Sequence, residues 1–193
     1  ILGSTGSVGR QTLEVVAANP EAFAVHGLAA RGDTEILRQQ AAEFGAACVV
    51  QGDPLAPMPD FLVPVLFGEE GLVTLSTAPE VDQVVVATSG AAGFAPTLAA
   101  VDAGKEVALA NKEVLVMAGE LVTARARAHG VMLRPIDSEH SALWQCLQGE
   151  APAAVERLIL TASGGPFRTW PATQMAQVTP EDALHHPTWR MGP

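Results

Sequence analysis

The sequence is poor in cysteine, in positive charge and in charge of either sign. Cys48 and Cys146 are its two cysteines in 193 residues. Two thiols build neither a disulfide framework nor a thiolate zinc site, and they read as the free thiols of a reducing compartment. Lys and Arg together number 11 against 21 Asp and Glu, a formal charge of −10. So acidic a chain lacks the basic face that a nucleic-acid backbone needs, and nucleic acid is not expected as a partner. A local site can still be positive, so a small anionic ligand stays open. Only 17% of the residues are charged and 48% are hydrophobic, which excludes a disordered chain. The 18 Gly and 14 Pro follow no period, which excludes a collagen-like repeat. The longest uncharged run, residues 83–101, contains Thr88, Ser89, Gly90, Gly93, Pro96 and Thr97. It reads as a strand, a glycine loop and a helix start, and no membrane span is expected. The chain starts at Ile1 without Met and stops at Met191-Gly192-Pro193, so both ends read as cut, and the lack of a targeting segment says little.

What is present is alternation. The length fits one generous domain, or one domain and part of another. It suffices to bury roughly two-thirds of the unfolded surface without a metal or disulfide staple. Residues 1–2 can be the tail of a buried strand. Residues 7–18 read as a helix with Val8, Thr12, Val15 and Val16 on one face, stopped by Asn19-Pro20. Strands are expected at 24–29, 47–50, 84–88 and 107–110, and helices at 33–44, 94–103 and 113–129, the last closed by Gly130. Residues 53–59 hold three prolines and must be a loop. This order predicts an α/β, Rossmann-like, doubly wound parallel sheet with helices on both faces. The texture changes near Gly130 to Pro135, where a domain boundary is expected: residues 1–130, then the start of a second α/β domain over 131–193. In the latter, strands are expected at 131–136 and 156–161, a helix at 143–147, and a cap with a first helical turn at Thr179-Pro180-Glu181-Asp182.

Six segments can carry chemistry. Gly3-Ser4-Thr5-Gly6-Ser7-Val8-Gly9 follows two apolar residues and opens an amphipathic helix. Its glycines allow a tight turn and let backbone amides reach a pyrophosphate at a helix N-terminus; a purely structural turn is the plain alternative. Ala30-Arg31-Gly32-Asp33 ends the second strand, where an acidic residue would favour NAD. Arg31 can instead pair with a 2′-phosphate, which favours NADP(H), whereas Asp33 reads as a helix cap or a ribose ligand. Asn111-Lys112-Glu113 stands at a strand end, able to meet a ribose or nicotinamide, or simply to cap a helix. Asp137-Ser138-Glu139 places two carboxylates for a hard cation such as Mg²⁺ or Mn²⁺, or caps the following helix. Thr161-Ala162-Ser163-Gly164-Gly165-Pro166-Phe167-Arg168 offers a phosphate nest or an ordinary loop. His185-His186-Pro187-Thr188-Trp189-Arg190-Met191-Gly192 reads as a functional lid or as packing against something further on. His26 and His129 receive no role.

Together these segments resemble the 1-deoxy-D-xylulose-5-phosphate reductoisomerase family of the non-mevalonate isoprenoid pathway. The resemblance rests on Gly3 to Gly9, Ala110-Asn-Lys-Glu113, Pro135-Ile-Asp-Ser-Glu-His-Ser-Ala-Leu-Trp-Gln145, Leu160-Thr-Ala-Ser-Gly-Gly-Pro-Phe-Arg168 and His186-Pro-Thr-Trp-Arg-Met-Gly192, in the family's order. It implies an NADPH domain followed by part of a metal- and substrate-binding catalytic domain, in a family roughly twice this length. It implies an NADPH-dependent oxidoreductase that isomerises and reduces 1-deoxy-D-xylulose 5-phosphate to 2-C-methyl-D-erythritol 4-phosphate. A divalent metal (Mg, Mn or Co) holds two substrate oxygens during the skeletal rearrangement, and NADPH then delivers hydride. By resemblance, Asp137 and Glu139 are metal ligands and catalytic together with Ser138. Gly3, Ser4, Thr5, Gly6, Ser7, Val8, Arg31, Gly32, Asp33, Asn111, Lys112, Glu113, Met191 and Gly192 meet the cofactor. Lys112, Ser138, Glu139, Ser163, His186 and Trp189 meet the phosphorylated sugar. The family often shows Gly, a basic residue and Asn where Arg31-Gly32-Asp33 stands, and Ser where Val114 stands.

The resemblance further implies a homodimer for the complete enzyme, in the bacterial cytoplasm or a plastid, with no membrane partner. The chain by itself is expected to be inactive, because its metal set is one carboxylate short. Two other readings remain. Another NADP-linked Rossmann dehydrogenase, such as a semialdehyde dehydrogenase, needs a catalytic cysteine, and Cys146 sits inside an expected helix. A non-catalytic NADP-binding module is the reading expected if the natural protein ends at Pro193.

Overall fold

A computed structural model describes residues 1–162, 164–185 and 187. The chain divides into two compact units, Ile1–Ser141 and Ala142–Pro193. In the first, α1 (Ser7–Ala18), β1 (Gly27–Ala30), α2 (Thr34–Glu43), β2 (Cys48–Gln51), β3 (Val65–Phe67), α3 (Gly68–Thr77), β4 (Gln83–Val86), α4 (Phe94–Asp102), β5 (Glu106–Leu109), α5 (Lys112–His129) and β6 (Leu133–Pro135) follow one another. The division falls within α6 (Ser138–Cys146).

The strands form two parallel ladders, β1-β2-β3 and β4-β5-β6. Leu2 joins them, bridging Ala29 on one side and Val86 on the other, both in parallel. Its amide donates to the Val85 carbonyl and its carbonyl accepts from Ala87, each at 2.8 Å. The strand tail expected at residues 1–2 is therefore the centre of the sheet, in the order β3-β2-β1-Leu2-β4-β5-β6. Chain direction across the sheet reverses at Leu2. In such sheets ligands bind beyond the carboxyl ends of the strands at that reversal.

Side chains of a strand alternate between faces, and the core divides accordingly. Ala29, Val50, Val84, Val86, Val107 and Leu109 pack with Leu72 and Leu75 of α3, Ala100 and Val101 of α4, and Ala126 of α5. Leu28, Ala30 and Val49 face the other way, onto Leu13 of α1 and Leu37 and Ala41 of α2. Burial on both faces is what an all-parallel sheet requires. The uncharged run at 83–101 becomes β4, a loop and α4. Among the described residues no helix is long and apolar enough to cross a membrane.

Most expected elements form within a residue or two. The sequence reading left residues 60–83 unassigned, and they supply β3 and α3. β6 pairs in parallel with β5, Val107 against Leu133 through Leu109 against Pro135, so the sheet continues past residue 130. In the second unit α7 (Pro180–Leu184) opens with a full capping box: Thr179 Oγ1 accepts from the Asp182 amide at 3.2 Å, and Asp182 Oδ2 accepts from the Thr179 amide at 3.0 Å. These bonds from Thr179 hold the Asp182 carboxyl below the usual range. The strand expected at 156–161 does not form. Leu158, Ile159 and Leu160 are exposed, and an extended segment becomes a strand only when a neighbour satisfies its backbone groups.

Candidate functional site

At the reversal point the chain leaves Leu2 into the glycine loop. Gly3 has φ +87°, and a Cβ there would stand 2.6 Å from the Ala87 carbonyl oxygen. Only glycine permits this close crossing of the loop after β4. The Gly3 and Ser4 amides both donate to the Ala29 carbonyl, at 2.8 and 2.9 Å, and the Gly6 amide donates to the Gly3 carbonyl at 3.2 Å. Arg10 Nε donates to the Thr5 carbonyl at 2.7 Å. Ser4 and Thr5 are buried, whereas Gly6 and Ser7 face solvent. Helix α1 starts at Ser7 with Gly6 as its cap residue, no side-chain cap and no acid in its first turn. Its first amides and its positive dipole end are thus left for an anion.

Arg31, Gly32 and Asp33 follow β1 and are all exposed. Asp33 occupies the cap position of α2 without a side-chain capping bond, so its carboxylate stays available. The turn is anchored from below by Gln51, whose fully buried side chain donates Nε2–H to the carbonyls of Arg31 at 3.1 Å and Asp53 at 3.0 Å.

Asn111 is only 2% exposed. Its Nδ2 donates to the carbonyls of Thr88 and Gly90, both at 2.9 Å, and its Oδ1 accepts from the Val114 amide at 3.1 Å. Both amide hydrogens are thus engaged within the chain. The capping alternative is the one realised for this side chain: it opens α5 as its N-cap and ties the 88–90 loop to the start of that helix. Asn111→Ala removes a cap and takes from the Thr88 and Gly90 carbonyls the donor that holds them. We expect it to lower stability by about 2 kcal/mol, read from a denaturant midpoint; an unchanged midpoint would contradict this strut role.

Lys112 and Asp137 form an ion pair, with side chains 60% and 15% exposed. They lie 25 positions apart, and the parallel pairing of β5 and β6 carries their strand ends to the same edge. Burial pushes the Asp137 carboxyl up, but hydrogen bonds with Lys112 and Glu139 and the charges of Lys112 and His140 outweigh it and hold it below the usual carboxylate range. The bond to Asp137 raises Lys112 in turn, against its partial burial. His140 Nδ1 stands 3.9 Å from Asp137 Oδ1. Asp137 precedes α6 and its carbonyl accepts the Ser141 amide at 2.8 Å. Asp137 and Glu139 therefore do not share one extended strand, yet their carboxyl groups meet. Ser138 and Glu113 are exposed.

The fit of the two implied groups follows from these observations. A fixed, ionised carboxylate beside a second one, already holding a cation at Lys112, suits a hard divalent ion. It would supply two ligands, and among the described residues no cluster of three or more His, Cys, Asp or Glu completes a set. The uncapped α1 terminus and the glycine crossing suit a pyrophosphate. Ser163, His186, Trp189, Met191 and Gly192 lie outside the described residues, while Gly164 and Gly165 beside Ser163 take φ +83° and +69°. A cleft of about 700 Å³ runs along Val15, Phe23, Val85, Ala108 and Arg134. It holds none of the loop residues above and sits toward the opposite ends of the strands, so it is not the candidate site.

The model of the family 1-deoxy-D-xylulose 5-phosphate reductoisomerase matches residues 1–119, and that of its C-terminal domain matches residues 133–193. The chain belongs to the 1-deoxy-D-xylulose 5-phosphate reductoisomerase family. The reductoisomerase of Geotalea uraniireducens is 51% identical over 198 residues, covering all of this chain and 51% of that protein. That of Rhodococcus jostii is 52% identical over 194 residues, covering all of this chain and 48% of that protein. The chain thus spans about half the length of the curated relatives it matches. A reductoisomerase from Zymomonas mobilis solved in complex with NADPH superposes with a TM-score of 0.85 at 41% identity, over 96% of this chain and 50% of the other. A DOX-P reductoisomerase solved with NADPH, fosmidomycin and magnesium gives 0.83 at 37% identity, over 99% of this chain and 51% of the other. The family and the α/β fold expected from the motifs are both shown.

The sequence reading missed two contributors: the 88–90 loop and Gln51. The first carried a visible signal, a glycine-containing turn after a β-branched strand. A lone glutamine carries none, since its importance comes from being buried.

Proposed function

We propose that this chain supplies the cofactor-binding part and two metal carboxylates of an NADPH- and divalent-metal-dependent reductoisomerase. The reaction is the conversion of 1-deoxy-D-xylulose 5-phosphate to 2-C-methyl-D-erythritol 4-phosphate. The observation that carries this is the glycine loop crossing the 87–90 loop at the sheet's reversal point, with the α1 amides uncapped beside it. NADPH and magnesium in the solved relatives support it.

In this reading the backbone of Thr5 to Val8 faces the pyrophosphate, with Gly3 and Ser4 setting the turn. Arg31 meets the 2′-phosphate and Asp33 the adenosine ribose, across Gly32. Glu113 and the backbone at Asn111 face the nicotinamide ribose, where Met191 and Gly192 add contacts. Asp137 and Glu139 hold the divalent ion, which when bound supplies Lewis-acid stabilisation of negative charge on substrate oxygens. NADPH, when bound, supplies hydride. Lys112, paired with Asp137 and largely exposed, would be available to the substrate beside Ser138 with the ion in place. Ser163, His186 and Trp189 complete the phosphate and lid contacts. The functional division at residue 130, a homodimer and a bacterial cytoplasmic setting belong to the same reading, and the named relatives are bacterial.

The test is spectrophotometric. With the complete protein, NADPH oxidation on 1-deoxy-D-xylulose 5-phosphate should stop with EDTA and return with Mg²⁺. Oxidation indifferent to EDTA, or no NADPH binding at all, would overturn the assignment.

A further inference from the structure

Helix α2 presents Leu37 and Ala41 to the core, and Gln40 shares that buried side at 8% exposure. An apolar residue would pack there without the cost of burying an amide. Its Nε2 instead donates to the Ser4 carbonyl at 3.1 Å, across 36 residues of chain. Gln40 Oε1 and Ser4 Oγ are both buried without a hydrogen-bond partner, so the Gln40 amide makes this contact although its own oxygen goes unsatisfied.

The Ser4 carbonyl lies at the turn that delivers the chain to the α1 N-terminus. Turned outward, its oxygen would add a negative dipole end to the place where the free α1 amides meet an anion, and would oppose them. Held inward by Gln40, it leaves that mouth lined by N–H groups. We infer that Gln40 is a positioning residue for the pyrophosphate cradle: its side-chain amide holds the Ser4 carbonyl away from the anion. This rests on the NADPH reading above.

The probes are NADPH, which carries a pyrophosphate, and adenosine 2′-monophosphate, which carries the 2′-phosphate but none. In the complete protein, Gln40→Leu should raise the NADPH dissociation constant about tenfold and leave that for adenosine 2′-monophosphate within twofold. The KM for NADPH should rise while kcat at saturating NADPH stays within twofold. NADPH binding within twofold of the parent, or equal weakening of both probes, overturns the inference, because general loosening would touch both. Should Gln40→Leu not fold, the unbranched Gln40→Met decides by the same comparison. A parent protein that binds no NADPH would defeat the functional reading itself, which is a different result.

Discussion

Gly9→Ala is expected to dismantle the cofactor site and much of the first unit's stability. Gly9 is the third glycine of the loop and already lies in α1, where alanine is ordinarily the better helix former. Here the added methyl has no room. It would meet the Gly3 carbonyl oxygen, and stand 2.5 Å from Ser4 Cα and 2.8 Å from the Ser4 carbonyl carbon. These are backbone atoms, pinned by the bonds of Gly3 and Ser4 to Ala29, so no side chain can swing aside. Either α1 lifts off the sheet, which unseats Leu13 from its cluster, or the loop moves and loses the crossing over Ala87. Overpacking of this kind costs about 3 kcal/mol. NADPH affinity should fall by more than about 100-fold, equivalent to about 2.8 kcal/mol. Fluorescence titration and a denaturant melt read both effects. A variant that melts with the parent and binds NADPH normally would show that the packing described is wrong.

Asp137→Asn in the complete protein should leave the fold standing and sharply raise the Mg²⁺ demand of turnover. The substitution keeps size and shape and deletes one charge. Asp137 lies in the first unit at the end of β6, where the Lys112 ammonium, Glu139 and His140 surround its carboxylate. Asparagine offers a neutral oxygen to a divalent cation and leaves Lys112 facing the site. Even residues that only orient metal ligands change affinity by about 10–100-fold when altered, and a direct ligand should reach at least the upper end. The expected result is a rise of about 100-fold or more in the Mg²⁺ concentration for half-maximal turnover, with NADPH affinity within threefold of the parent. Turnover at unchanged Mg²⁺ demand would remove Asp137 from the ligand set. Lost NADPH binding with unchanged metal demand would move it to the cofactor instead.

Legibility differs element by element, for physical reasons. α1 and α5 were readable because apolar spacing and terminal signals agree: Asn111 accepts the Val114 amide, and Gly130 at φ +66° closes α5. β3 and α3 were not, since a three-residue strand has no measurable period and α3 opens Gly-Glu-Glu-Gly, a poor helical start. The strand expected over 156–161 failed from the opposite cause: its β-favouring residues are there, but pairing is a property of a neighbour. In the site, the glycine loop and the carboxylate pair were legible as motifs. The pairing of Lys112 with Asp137, the engagement of both Asn111 amide hydrogens and the grips of Gln40 and Gln51 were not, because each depends on which strand lies beside which.

The seat of Leu2 between Ala29 and Val86 also orders events in time. The Leu2 segment leaves the ribosome before either of its sheet neighbours, and the second of them, Val86 of β4, lies 84 residues downstream. At synthesis rates of about 5–20 residues per second, Leu2 waits roughly 4–17 s for that partner. Until β4 is made, the Leu2 segment can pair only on its β1 side, and its other edge lacks its partner in this sheet. The central position of the sheet is therefore enclosed only after β1, β2, β3 and β4 have all been made.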